Sequence, residues 1–177
     1  VGYGEVGSRL YQRLMDNGIT ALVYDPFKSF AKSSLDDVLD CDVISLHVPL
    51  TKQGEHATFN LFNKERLAQL KTGALLINSS RGKVVDNHAL LAELTTKRIQ
   101  AVLDVYQDEP TPSFELLDAL TLATPHIAGY SLHGKMRGTL QVAEKLYQYF
   151  SLNKDLADVL GQYQAQITCD KNDTLAD

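Results

Sequence analysis

Apolar residues recur at every fourth position near the start of the chain, at Val6, Leu10 and Leu14, and Gly18 follows as a stop. That spacing predicts a helix over 5–17. The next apolar run, Thr20 to Tyr24 (TALVY), is short and unbroken and reads as a strand. Ser34 with Asp37 three residues later has the spacing of a capping box and opens a short helix through Leu39. The alternation then repeats, with a strand over 42–46, a helix over 63–70, the strand ALLIN over 74–78, a helix over 86–97 and the strand AVLDV over 101–105. After Pro110 and Pro112 come a helix over 114–120, a short strand over 122–124 and a long helix over 131–150. Leu140, Ala143, Leu146, Tyr147 and Phe150 share one face of that last helix. Strands made of continuous apolar runs and separated by helices predict an α/β fold, a doubly wound parallel sheet covered on both faces. Residues 151–177 are more polar and receive no assignment.

Composition changes this picture only by exclusion. The chain has 177 residues, 44% of them hydrophobic, enough for a real core. A net charge of -5 speaks against nucleic acid or an acidic membrane surface as a partner, since both require a concentrated basic face. The two cysteines, Cys41 and Cys169, form neither a CxxC pair nor a Cys/His cluster, so no disulfide framework and no metal site is expected. A reducing cytoplasm suits that usage, and no apolar run is long enough to span a membrane.

Candidate chemistry begins at Gly2-Tyr3-Gly4-Glu5-Val6-Gly7, a GxGxxG turn entering the first predicted helix. In a dinucleotide-binding turn Gly2 would serve the tight bend, Gly4 the close approach of a pyrophosphate, and Gly7 the packing of helix on sheet. Asp25 ends the TALVY run eighteen positions after Gly7. A carboxylate there accepts hydrogen bonds from the adenosine ribose hydroxyls and repels a 2′-phosphate, which favours NAD over NADP. The expected fold is therefore Rossmann-like, with its first strand largely missing ahead of Gly2.

Four further loops lie just past predicted strand ends: HVPLT at 47–51, NSSRG at 78–82, the segment from Asp104 to Glu109, and the segment from Pro125 to Tyr130. Loops at the carboxyl ends of parallel strands converge on one crevice. In this order and spacing HVPLT, INSSRG, LDVYQDEP and TPHIAG resemble the D-isomer-specific 2-hydroxyacid dehydrogenase family, over residues 1 to about 150. The segment HIAGYSLHGKMRGT is similar to the branch of that family that acts on a phosphorylated 2-hydroxy acid.

The resemblance implies an NAD-dependent oxidoreductase with His126 as general acid/base, Glu109 paired with it, and Arg81 gripping the substrate carboxylate. Each role suits its residue. An imidazole titrates near neutral pH and works in both directions; a carboxylate orients it and stabilises its protonated form; a guanidinium meets a carboxylate as a fork. By the same resemblance Glu5, Val6, Val48, Ser79, Ser80, Arg81, Asp104 and Gly129 line the cofactor with Gly2, Gly4, Gly7 and Asp25, and Tyr130 reaches the substrate. His47 is read as structural. Lys135 and Arg137 are either attractors of a substrate phosphate or exposed helix charges.

Other family substrates of the phosphoglycerate or glyoxylate type remain open on this reading. So does a non-enzymatic NAD(H)-sensing corepressor, because such proteins retain the Arg, Glu and His. The family also implies a substrate domain and, in this branch, a C-terminal dimerisation region that makes a homodimer; neither is recognisable in the sequence. Residues 1–150 are accordingly expected to be the NAD-binding domain and 151–177 a tail or linker. By themselves the 177 residues are expected to bind NAD weakly and to lack turnover, since domain closure assembles such sites.

Overall fold

The computed structural model describes residues 1–151, so the predicted tail lies almost wholly outside the described residues. The chain divides into two compact units, Val1–Ala128 and a second beginning at Gly129. The first unit carries a parallel sheet whose strands are β1 (Val43–Leu46), β2 (Leu75–Asn78), β3 (Gln100–Leu103) and β4 (Leu122–Ala123), in that spatial order. Strands that are parallel and consecutive place all their carboxyl ends on one edge. The helices of this unit are α1 (Glu5–Asp16), α2 (Leu35–Leu39), α3 (Lys64–Gln69), α4 (Asn87–Thr95) and α5 (Phe114–Ala119), with a 3-10 turn at Gly82–Val84. This is the Rossmann-like α/β arrangement that the alternating pattern predicts.

Local chemistry explains why the helices begin where they do. Ser34 accepts from the Asp37 N–H while Asp37 accepts from the Ser34 N–H, a complete capping box. Asn63, Asp86 and Ser113 cap α3, α4 and α5 with side-chain oxygens on the first-turn N–H groups. Strand burial follows the pleat: Ile44 and Leu46, Leu76 and Asn78, Ala101 and Leu103 are the deeply buried positions. Leu46, Asn78 and Leu103 lie side by side across the sheet. The core around them includes Phe62, Leu67 and Leu90, all fully buried.

Two predicted strands differ from the structure. Residues 20–24 form no strand. Only Val1 and Gly2 stand between them and β1: the Val1 nitrogen donates to Ser45 O and the His47 N–H to Val1 O, while the Gly2 N–H alone reaches Tyr24 O. One hydrogen bond does not make a ladder. The strand predicted over 101–105 ends at Leu103, although the Asp104 N–H still reaches Asn78 O, and the Asp104 side chain turns into the loop at 124–128.

The second unit contributes α6 (Leu132–Tyr149) among the described residues, with Ser131 capping it through the Gly134 N–H at 3.0 Å. No helix among the described residues is long and apolar enough to cross a membrane.

Candidate functional site

The glycine turn owes its shape to sterics. Gly2 adopts φ +86, and a Cβ there would lie 2.6 Å from the His47 carbonyl oxygen, so both backbone sign and space require glycine. A Cβ on Gly7 would sit 2.1 Å from Gly2 O, which is how the first turn of α1 comes to rest directly on the bend. Nothing lies within 4 Å of a Cβ on Gly4, which leaves its backbone open to an incoming group. Glu5 and Val6 follow on the exposed side of the first helical turn. Asp25 is tied to this turn, accepting from the Tyr3 N–H at 2.7 Å and the Phe27 N–H at 3.0 Å through different oxygens. Each oxygen accepts only one of these bonds and keeps a free lone pair.

The sheet's carboxyl edge supplies the remaining groups. After β1, the His47 ring bonds the Ser45 hydroxyl at 2.9 Å, and burial pushes its pKa down. An imidazole bonded in this way to the end of its own strand has a structural setting. Val48 packs its side chain toward Gly2. After β2, the fully buried Asn78 organises the next loop: its amide N–H donates to Arg81 O, and its carbonyl accepts from both the N–H and hydroxyl of Ser80. The Ser80 hydroxyl thus faces inward. Ser79 is half-buried beside it, and Arg81 projects into solvent with its guanidinium bonded to Ser80 O at 2.6 Å.

The loops after β2 and β3 are stitched together. A Cβ on Gly82 would lie 1.8 Å from Tyr106 O, so the two backbones touch. The Asn87 N–H donates to Gln107 Oε1 and the Gln107 N–H to Asn87 Oδ1, at 3.2 and 2.7 Å. Beyond them the Tyr106 N–H donates to Glu109 Oε1 at 2.8 Å, which fixes the carboxylate so that Oε2 meets His126 Nδ1 at 2.9 Å. With Nδ1 engaged, Nε2 is the ring atom left for proton exchange. The His126 side chain is 52% exposed and that of Glu109 35%, too open for their pairing to add much stability; its value lies in aiming the imidazole.

Asp104, 5% exposed, accepts from the Thr124 hydroxyl, the Ile127 N–H and the Ala128 N–H. Burial by itself would raise its pKa. The three hydrogen bonds, with the charge of a protonated His126 nearby, outweigh burial and hold the carboxyl below its usual range. Gly129 and Tyr130 fall in the second unit, where the Lys135 ammonium stands 3.4 Å above the Tyr130 ring, a cation–π contact.

Residues 1–128 match the family model described as "D-isomer specific 2-hydroxyacid dehydrogenase, NAD binding domain". The chain belongs to that family. Within it, the chain is similar to curated erythronate-4-phosphate dehydrogenases. That of Shewanella sp. (strain DB6705) is 47% identical over 161 residues, 88% of this chain and 59% of the relative. That of Pseudomonas fluorescens (strain SBW25) is 51% identical over 156 residues, 85% of this chain and 40% of the relative. The chain thus spans about half the length of the curated relatives it matches. Among solved structures it resembles the Aquifex aeolicus D-lactate dehydrogenase complexed with NAD and lactic acid, with TM-score 0.67 and 32% identity, covering 83% of this chain and 52% of the other. A Staphylococcus aureus NAD-dependent formate dehydrogenase in complex with NAD gives TM-score 0.69 and 28% identity over 87% of this chain and 48% of the other.

Several residues that hold the loops of the site escaped the sequence reading. Asn78, Tyr106, Thr124 and the Asn87–Gln107 pair touch no expected ligand, and their work is to hold loops. The available signal was a polar residue closing an apolar run, as in LLIN. For Gly82→Ala, the methyl must displace the Tyr106 backbone. Urea unfolding is expected to show a loss of about 1–3 kcal/mol, the usual range for overpacking. Acidity should bear on Asp104. Because its folded pKa is lowered, its stabilisation is complete above the unfolded carboxylate value of about 4 and is lost as pH falls further. The stability gap between the protein and Asp104→Asn, followed by urea midpoints, is therefore expected to be widest near neutrality and to close in acid.

Proposed function

We propose that the protein containing this chain oxidises 4-phospho-D-erythronate to 2-oxo-3-hydroxy-4-phosphobutanoate with NAD, a step toward pyridoxal 5′-phosphate, as a cytoplasmic homodimer. The observation that carries the reaction type is the Glu109–His126 pair at 2.9 Å on the carboxyl edge of a family NAD-binding sheet. The substrate assignment is supported by the relatives named erythronate-4-phosphate dehydrogenase at 42–52% identity.

The residues divide the chemistry as follows. Arg81, exposed just past β2, takes the substrate carboxylate in a fork and polarises the reacting oxygen. His126 accepts the C2 hydroxyl proton at Nε2 as the carbonyl forms, while Glu109 stabilises the imidazolium through Nδ1. When bound, NAD supplies the acceptor for the hydride that leaves C2. Gly2, Gly4 and Gly7 seat the pyrophosphate, Asp25 the adenosine ribose, and Glu5, Val6, Val48, Ser79, Ser80, Arg81 and Asp104 the rest of the cofactor. The open backbone at Gly4 and the free lone pairs on Asp25 support that placement.

Steady-state assays of the complete protein with 4-phosphoerythronate, lactate and glycerate in the presence of NAD test the substrate, and turnover of the unphosphorylated acids alone would sink it. His126→Asn is expected to lower kcat by about 10²–10⁴-fold while NADH affinity, read by fluorescence titration, changes little. Loss of both together would mean that His126 is structural. Asp25→Ser is expected to relax selectivity against NADP in the same assay. Unchanged selectivity would remove Asp25 from the ribose site.

A further inference from the structure

His126 has φ +55, in the left-handed region that a non-glycine residue occupies only when its surroundings impose it. The His126 N–H itself donates only to Thr124 O, 3.1 Å away within the same short loop. The imidazole is anchored at one point, Glu109 Oε2. Neither contact is enough to hold a strained backbone, and the residue is half-exposed, so packing does not hold it either.

The constraint comes from the residues on either side. Asp104 Oδ1 accepts from the Thr124 hydroxyl at 2.6 Å and from the Ile127 N–H at 2.8 Å, and Oδ2 accepts from the Ala128 N–H at 2.9 Å. One buried carboxylate therefore grips the chain two positions before His126 and one and two positions after it. The Tyr106 hydroxyl, 2.9 Å from Thr124 O, closes the same end of the loop. Asp104 and Tyr106 leave β3 on the same short segment as Glu109, so one stretch sets both the imidazole's backbone and its carboxylate partner.

We propose that Asp104 is a positioning residue: by clamping Thr124, Ile127 and Ala128 it holds His126 in its left-handed backbone conformation and so aims the ring at Glu109. The inference rests on His126 being the proton-transfer group of the reading above. It assigns Asp104 a task beside lining the cofactor: three protein donors take up most of its oxygen lone pairs. An amide at this position keeps the shape but presents an N–H group to one of those donors, which breaks part of the clamp.

The test uses the complete protein with Asp104→Asn, Thr124→Val, His126→Asn and the Asp104→Asn/His126→Asn double variant, with kcat measured at saturating NAD. Asp104→Asn is expected to lower kcat on the order of 10²-fold, the effect of an ångström-scale misplacement, and to speed hydrogen exchange of the Ile127 and Ala128 amides. Thr124→Val, which removes one donor and leaves the carboxylate, should give a smaller loss of the same kind and serves if the first variant does not fold. In the His126→Asn background, Asp104→Asn should cost less than about threefold further, because residues acting as a unit are not additive. Multiplying losses in the double variant would overturn the inference. So would an effect on NAD affinity alone, with kcat restored at saturation. If His126→Asn leaves turnover intact, the proposed function fails first; if it abolishes turnover while Asp104→Asn and Thr124→Val do not disturb it, only the positioning role fails.

Discussion

A carboxylate 5% exposed to solvent must find donors inside the protein or give up its charge, and the arrangement of this site follows from how Asp104 meets that requirement. Its donors come from the loop after β4, 20 to 24 residues further along the chain. Satisfying one buried charge therefore closes a loop over the sheet edge and selects its conformation. Asn78 makes the same demand one strand away. Set between Leu46 and Leu103 with no access to water, its amide bends the Ser80–Arg81 backbone around itself.

Rigidity and reactivity are thereby separated. The groups that hold the loops, Asn78, Asp104 and Asn87, are buried, whereas Arg81 and His126 lie in the open. An exposed ion pair contributes little to folding, so the Glu109–His126 geometry has to be imposed by its surroundings. The surroundings do this through fixed contacts: Glu109 by the Tyr106 N–H, the β2 and β3 loops by the Gly82–Tyr106 approach, and the helix launch by Gly7 against Gly2. An arrangement built this way leaves the Arg81 guanidinium and the His126 ring open to solvent.

Legibility in the sequence tracked how local each determinant is. The starts of α2 to α5 were readable because a capping side chain and its N–H partner lie within three residues of each other. The TALVY run had equally good local character yet forms no strand, since a strand exists only through a neighbour and this one has a single bond to Gly2. The early end of β3 and the turn at Gly82–Val84 were invisible for the same reason. Both depend on what the next loop brings alongside.

The sequence by itself determined the α/β class, the glycine turn with Asp25, and the order of four motif-bearing loops, because these rest on periodicity, capping and short spacings. It also named Arg81, Glu109 and His126 through their family resemblance. Only the tertiary structure decided that Glu109 Oε2 meets His126 Nδ1, that the imidazole sits on a left-handed backbone, and that Asp104 grips the loop on both sides of it. Those facts join residues 17 to 24 positions apart across parallel strands, a distance at which no local rule of the chain applies.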